Sequence, residues 1–337
     1  MIRKRTNRAF ASLLVVTGLL LSVTFTGCEK GDDLEEDEII YDYVFQLEGI
    51  TPENYPMTDA STVAAPMQML IACKLLGWRY TWGQSMFDGT YTIFPHWEDI
   101  PEGYNYLERI RTSKTHDAIL NLIDREVDFI ISARTMSEDE QLYANKKGVT
   151  LIETPIALDA FIFIVNRSNI VKSLTTKQIQ DIYTGKITNW SNVGGINSTI
   201  MPYVRNANSG SQELMESLVM KDLKIKEWPE EPKLELNSMM LVFSTVMNDV
   251  NSLCYTLYYY NAQMIQENIA KTIAVDGITP DKKSIGERRY PHIAELYAVI
   301  RSDLDKSSMA YKLYELMQTE EAKQLITESG YVPIMNN

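Results

Sequence analysis

The chain has 337 residues and a formal net charge of −13, with 32 Lys and Arg against 45 Asp and Glu. No basic stripe or arginine-rich arm interrupts that acidity, which argues against nucleic acid and against electrostatic adhesion to anionic lipid. Three cysteines and three histidines, with no CxxC or HExxH spacing, give zinc chemistry nothing to stand on.

The first segment reads as a leader. Arg3, Lys4, Arg5 and Arg8 precede the apolar run "FASLLVVTGLLLSVTF", which with its flanks is too short for a membrane span. The run ends in "FTGC", which resembles a bacterial lipoprotein processing site. Residues 1–28 are therefore expected to be a signal peptide, with Cys28 as the lipidated first residue of the mature chain; the alternative is an ordinary secretory leader with an incidental cysteine. Removing the leader's positive charges takes the formal charge to about −17. Residues 29–44, opening "EKGDDLEEDE", read as an acidic, solvated tether. Acyl chains on Cys28 would then do the anchoring, with the protein facing the periplasm or the cell exterior.

Along the rest of the chain, helical and strand patterns alternate. "AAPMQMLIACKLLGW" predicts a helix: Met67, Leu70 and Ile71 share a face, Pro66 lies in the first turn and Gly77 near the end. "THDAILNLIDRE" predicts a helix that runs into the short apolar strand "VDFIISA". "DAFIFIVN" is a second near-continuous apolar strand. "TTKQIQDIYTG" predicts a helix carrying Ile179, Ile182 and Tyr183, closed by Gly185. "SSMAYKLYELMQTEEAKQLITESG" is a long helical stretch near the C-terminus. Buried strands alternating with helices imply an α/β fold with mixed, largely parallel sheets. Cys73 and Cys254 have apolar neighbours; buried free thiols are expected, with a disulfide between them as the alternative.

Catalytic constellations are missing. "SGSQE" lacks the second glycine of a nucleophile elbow, and "YTGKITNW" lacks the upstream glycine of a phosphate-binding P-loop. His96, His116 and His292 assemble no nucleophile, base and orienting group. The reading is a binding protein, not an enzyme, with no cofactor and no metal.

A different chemistry is present in "RNANSGSQELMES", where the strand-like "TIMPYV" turns into a helix. Ser209 with Gln212 fits a capping box, which alone accounts for the serine. Arg205, Gly210 and Ser211 remain to be explained. A helix start offers free N–H groups and a positive dipole end, glycine lets the backbone approach closely, and arginine supplies a planar fork for oxyanions. The pattern recurs as Ser61 and Thr62 in "DASTVAAP", as Thr112, Ser113 and Thr115 in "RTSKTHDAIL", and as Ser132 and Arg134 in "ISARTMS". One such junction is more often a cap than a site. Several in one α/β chain point to a ligand at the carboxyl ends of the strands.

The segment "PIALDAFIFIVNRSNIVKSLTTKQIQDIYTGKITNWSNVGG" resembles the central part of the phosphate-binding proteins of ATP-driven phosphate importers. So do "TDASTVAAP", "VDFIISARTMSEDE", "RNANSGSQ", "IAVDGITP" and the ending "GYVPI", in that family's order. The resemblance implies a type II periplasmic-binding-protein fold of two α/β lobes around a ligand cleft, lobe 1 being residues 45–156 plus 272–337 and lobe 2 residues 157–271. It implies a monomeric, lipid-anchored solute-binding protein that captures phosphate and delivers it to the permease and ATPase subunits of an ABC transporter. Carried over by position, the anion donors fall on Thr62, Val63 through its backbone, Thr115, Arg205, Ser209, Gly210 and Ser211, with Ser61, Ser132 and Arg134 close by. One departure stands out. Where many such proteins carry an aspartate that accepts the proton on phosphate and repels fully ionised oxyanions, this chain has Ala133. Weaker discrimination against sulfate is the expectation. The alternatives are another tetrahedral oxyanion, or a surface or sensory module that signals occupancy without transport; a phosphate-ester hydrolase ranks last.

Overall fold

The computed structural model describes residues 43–207, 209–227, 235–236, 238–265 and 268–334. The leader, Cys28 and all but the last two residues of the tether lie outside them.

In the first half, β1 (Thr58–Ala60) leads through a 3-10 turn, Thr62–Ala64, into α1 (Ala65–Leu76). That helix carries Pro66 in its first turn and stops at Gly77, whose φ of 68° is the left-handed conformation glycine tolerates. The hairpin β2 (Tyr80–Gln84) and β3 (Tyr91–Pro95) follows, then the short α2 (Tyr106–Arg109), α3 (Thr115–Ile123), β4 (Phe129–Ser132) and α4 (Glu138–Lys147). The longest strand is β5 (Leu151–Val165).

After it come β6 (Ser173–Leu174), α5 (Thr176–Tyr183), β7 (Met201–Pro202), β8 (Val204–Arg205) and α6 (Gly210–Leu214). Then follow β9 (Glu235–Leu236), α7 (Met239–Asn248), β10 (Ser252–Leu257) and β11 (Lys271–Val275). The chain closes with α8 (Lys282–Gly286), β12 (Ile293–Arg301), α9 (Met309–Leu316), α10 (Glu320–Glu328) and β13 (Val332–Pro333).

The main sheet runs β1-β4-β12-β5-β10-β7, with β11 and β13 also paired to β5. Residues 151–160 of β5 pair antiparallel with β12, whereas Phe161–Val165 pair with β10 and Phe163–Val165 also meet β11. One strand thus changes partners between Ala160 and Phe161. Every residue from Ile156 to Val165 is buried, which is why this run reads as continuously apolar. Parallel pairs join β1 to β4, β7 to β10, β6 to β11 and β8 to β9, so the α/β sheet is mixed.

One polar residue interrupts the apolar run at the change of partners. Asp159 is fully buried; its Oδ1 accepts from the Ala160 and Tyr259 backbone N–H groups at 2.7 and 3.0 Å. Its Oδ2 has no partner among the described residues, and burial pushes the carboxyl up to about 7.

The C-terminal helical stretch divides in two. Thr319 ends the first segment's reach and caps α10, its hydroxyl accepting from Ala322 N at 3.3 Å. Cys73 and Cys254 are both buried and free.

Candidate functional site

A cavity of about 390 Å³ opens where the first turns of several helical segments converge. The turn after β1 brings Ser61, Thr62 and Val63 to its wall. Ser61 locks this turn to the end of β4: its N–H donates to Ile131 O at 3.0 Å and its Oγ accepts from Ala133 N at 2.9 Å.

The start of α3 brings Lys114, Thr115 and His116. Asp59, buried at the end of β1, holds the preceding loop by accepting from Ser113 N and Asn121 Nδ2, each at 2.8 Å. Lys114 caps α3 with φ 70° and ψ 171°, a conformation that side chains other than glycine rarely adopt. Strain of that kind is stored where the chain is forced to a particular entry angle.

The start of α6 brings Ser209, Gly210 and Ser211. Ser209 is a cap, its Oγ accepting from Gln212 N at 3.1 Å. Gln212 does not complete the expected box. Its Oε1 instead accepts from Arg205 N at 3.1 Å and from Tyr255 Oη at 2.5 Å, turning inward to brace β8. Gly210 faces Thr115 across the cavity so closely that an added Cβ would sit 2.5 Å from the threonine Oγ1. Close approach, not backbone conformation, is what requires glycine here.

Arg205, at the end of β8, is 7% exposed and lines the cavity. Its Nε donates to Leu236 O at 2.8 Å, while its Nη1 has no partner and no carboxylate pairs with it among the described residues. Burial pulls its pKa below the usual arginine value, against the opposing pull of Tyr255 and Tyr260. A buried cation without a counter-charge is costly, and an anion in the cavity is what would offset that cost.

Arg134 presents the contrast. Its Nη1 and Nη2 donate to the two oxygens of Glu140 at 2.7 and 2.8 Å, with both side chains buried. Ser132 Oγ donates to Arg134 O at 2.5 Å. Neither Ser132 nor Arg134 lines the cavity. Both were expected near the ligand; in this structure Glu140, in the first turn of α4, holds the Arg134 guanidinium, and Ser132 turns to the Arg134 carbonyl.

Eight expected residues therefore come together around one cavity: Ser61, Thr62, Val63, Thr115, Arg205, Ser209, Gly210 and Ser211. Ala133 is there as well. Sequence reasoning missed Ser238, which caps α7 by accepting from Leu241 N at 3.2 Å, and missed Asp88, Lys114, His116, Asp117 and Tyr260. The Ser-Met-Met start of α7 carried a capping signal that went unused. Asp88 sits in the β2–β3 turn, and nothing local announces that this turn reaches the cavity.

A model of the PBP superfamily domain matches residues 102–321. The chain belongs to the PBP superfamily. Within it, the phosphate-binding protein PstS of Staphylococcus epidermidis is 25% identical over 210 residues, 61% of this chain and 64% of that protein. PstS of Borreliella burgdorferi is 23% identical over 256 residues, 73% of this chain and 88% of that protein. Among solved structures, an ABC-type phosphate transport receptor from Vibrio cholerae superposes with a TM-score of 0.56 at 24% identity, covering 83% of this chain and 100% of that one. A phosphate-binding protein from Stenotrophomonas maltophilia does so with a TM-score of 0.55 at 13% identity, covering 83% and 91%. At these identities the superpositions speak for a shared superfamily fold. No helix among the described residues is long and apolar enough to cross a membrane.

Proposed function

We propose that this chain is a solute-binding protein that captures phosphate in the cavity and hands it to the permease and ATPase of an ABC transporter. The observation that carries this reading is Arg205: a buried guanidinium with a free nitrogen and no carboxylate partner among the described residues, in a cavity also lined by Thr62, Thr115 and Ser211. Helix starts at α3 and α6 add their positive dipole ends. The relatives named as phosphate-binding proteins support phosphate over other tetrahedral oxyanions.

Isothermal titration with phosphate, sulfate and arsenate tests it. Arg205→Ala is expected to weaken phosphate binding roughly ten- to hundredfold, from about 1.5–3 kcal/mol for a hydrogen bond to a charged group. Its stability loss should stay at about 1 kcal/mol or below, because the Leu236 carbonyl loses the Arg205 Nε donor but still accepts from Asn206 N at 3.3 Å. A parent that binds no phosphate, or an Arg205→Ala variant that binds like the parent, sinks the reading.

Two lobes closing on the anion fit this function, residues 45–156 plus the C-terminal segment against residues 157–271. The change of partners in β5 supports the first crossing near Ala160, and the pairing of β11 with β6 and with Phe163–Val165 favours a return crossing after Val275, a few residues beyond the expected boundary at 271. Thr115 and Gly210 would then meet only on closure. Gly210→Ala is expected to prop the cleft and lower phosphate affinity about tenfold, the worth of one charged hydrogen bond, while circular dichroism and melting stay close to the parent. Unchanged affinity would mean that Thr115 rotates aside at no cost. A lipid on Cys28 would hold the monomer at the cell envelope; membrane retention of a Cys28→Ser variant would exclude that anchor.

A further inference from the structure

The cavity wall holds one group whose protonation pattern is dictated from behind. The Glu140 carboxylate is 0% exposed, and all its lone-pair positions are occupied. Its Oε1 accepts from Arg134 Nη2 at 2.8 Å and lies 2.7 Å from His116 Nδ1; its Oε2 accepts from Arg134 Nη1 at 2.7 Å and from Ser137 N at 2.8 Å. Burial alone would raise Glu140, but the hydrogen bonds and charge of Arg134 outweigh it and hold the carboxyl below its ordinary value. An ionised carboxylate only accepts, so the proton on this edge of the ring belongs to His116 Nδ1. In the neutral imidazole the other nitrogen, Nε2, is then an acceptor without a hydrogen. His116 lines the cavity beside Thr115 and keeps 26% of its side chain exposed.

We propose that His116 reads the proton on the bound anion, its Nε2 accepting a hydrogen bond from the O–H of a monoprotonated tetrahedral oxyanion. This rests on the anion-binding reading of the cavity. Ala133 offers no side-chain acceptor, and Arg205 and Lys114 only donate. A fully ionised oxyanion such as sulfate brings acceptors alone, so one of its oxygens would meet the Nε2 lone pair with nothing between them, and binding suffers. Phosphate and arsenate, which keep a proton near neutral pH, satisfy it. Lys114 and Asp117 on the same helix start, Asp88 of the hairpin and Arg205 line the cavity with the ring, while Glu140 with Arg134, and Asp139 beside them at the start of α4, lie behind it. Asp88 and Asp117 are the rival acceptors, and Asp117→Asn is tested beside Asp88→Asn with the same expected outcome.

Competition titrations with inorganic phosphate, arsenate and sulfate on the parent, His116→Phe, His116→Gln and Asp88→Asn decide the matter. The parent is expected to prefer phosphate and arsenate to sulfate. His116→Phe should lower the phosphate-to-sulfate ratio by about tenfold or more, His116→Gln should recover part of it through its amide oxygen, and Asp88→Asn should leave it in place. A folded His116→Phe variant with the parent's ratio, a collapse confined to Asp88→Asn, or a parent that takes phosphate and sulfate equally overturns the proposal while leaving oxyanion capture standing. A parent that takes no oxyanion at all removes both. Should the phenylalanine variant not fold, ring-nitrogen NMR of the parent answers instead. Nδ1 should carry the hydrogen and Nε2 should shift with phosphate but not with sulfate; a hydrogen on Nε2 in the free protein overturns the assignment.

Discussion

A Glu140→Ala variant is expected to lose about 3–5 kcal/mol of unfolding free energy, the usual cost of stranding a buried ion without its partner. Arg134 is 5% exposed and Glu140 not at all, so neither water nor a rearranged side chain takes over the missing carboxylate. The Ser137 N–H and His116 Nδ1 lose their acceptor in the same step. The surface pair of Arg125 and Asp303 provides the control. It is just as short, at 2.5 Å, but both side chains are about half exposed, and breaking it should cost no more than about 1 kcal/mol. Because the folded Glu140 titrates below its ordinary value, the stabilisation from the pair is complete above the usual carboxylate range and is lost as pH falls through the lowered value. Urea unfolding at neutral pH measures the loss. A decrease no larger than that of the Arg125 control would mean that the buried pair contributes nothing beyond its charge count.

Asp159→Asn is expected to act in the opposite sense, and only at the higher pH. The native carboxyl is raised by burial to about 7, against the pull of two backbone N–H donors, from its ordinary value of 3.8. The folded state therefore holds a proton that the unfolded chain has released, and the parent loses stability as pH rises from the ordinary carboxylate range through neutrality. At about 1.4 kcal/mol per unit, the ceiling on that loss is roughly 4 kcal/mol. Asparagine cannot ionise, so the variant's stability relative to the parent should climb between pH 4 and pH 8 and level off above. Melting curves of both proteins across that range provide the slope. Parallel curves would show that the carboxyl is not titrating in the folded protein. The group lies where β5 exchanges β12 for β10, so the same titration bears on the segment about which closure would turn.

Much of the site was legible because its parts are local. A serine or threonine followed by a helical pattern marks an N-terminus from a few residues of sequence, and Ser61, Thr62, Thr115, Ser209 and Ser211 all lie at such starts. Gly210 and Arg205 belonged to the same short stretch. Arg134 looked equivalent to Arg205 in the sequence, since each follows a strand and sits near a serine. What separates them is Glu140, six residues away in the first turn of α4, whose carboxylate reaches Arg134 once α4 has packed against α3. The Ser137-x-x-Glu140 capping box was there to be read, but it fixes only where the carboxylate starts; which of 45 carboxylic acids meets a buried cation is settled by burial in space.

The sequence by itself determined the α/β class, the main helices and the anion-friendly character of the helix starts. These follow from periodicity and capping, which act within a few residues. The tertiary structure decided which arginine stays unpaired, that Gly210 meets Thr115, that Asp88 and His116 share the wall, and that β5 serves two sets of partners within one strand. Most of those depend on groups brought together from distant parts of the chain, and all of them on burial, which sets the energy of a charge by what surrounds it in space rather than by its neighbours in sequence.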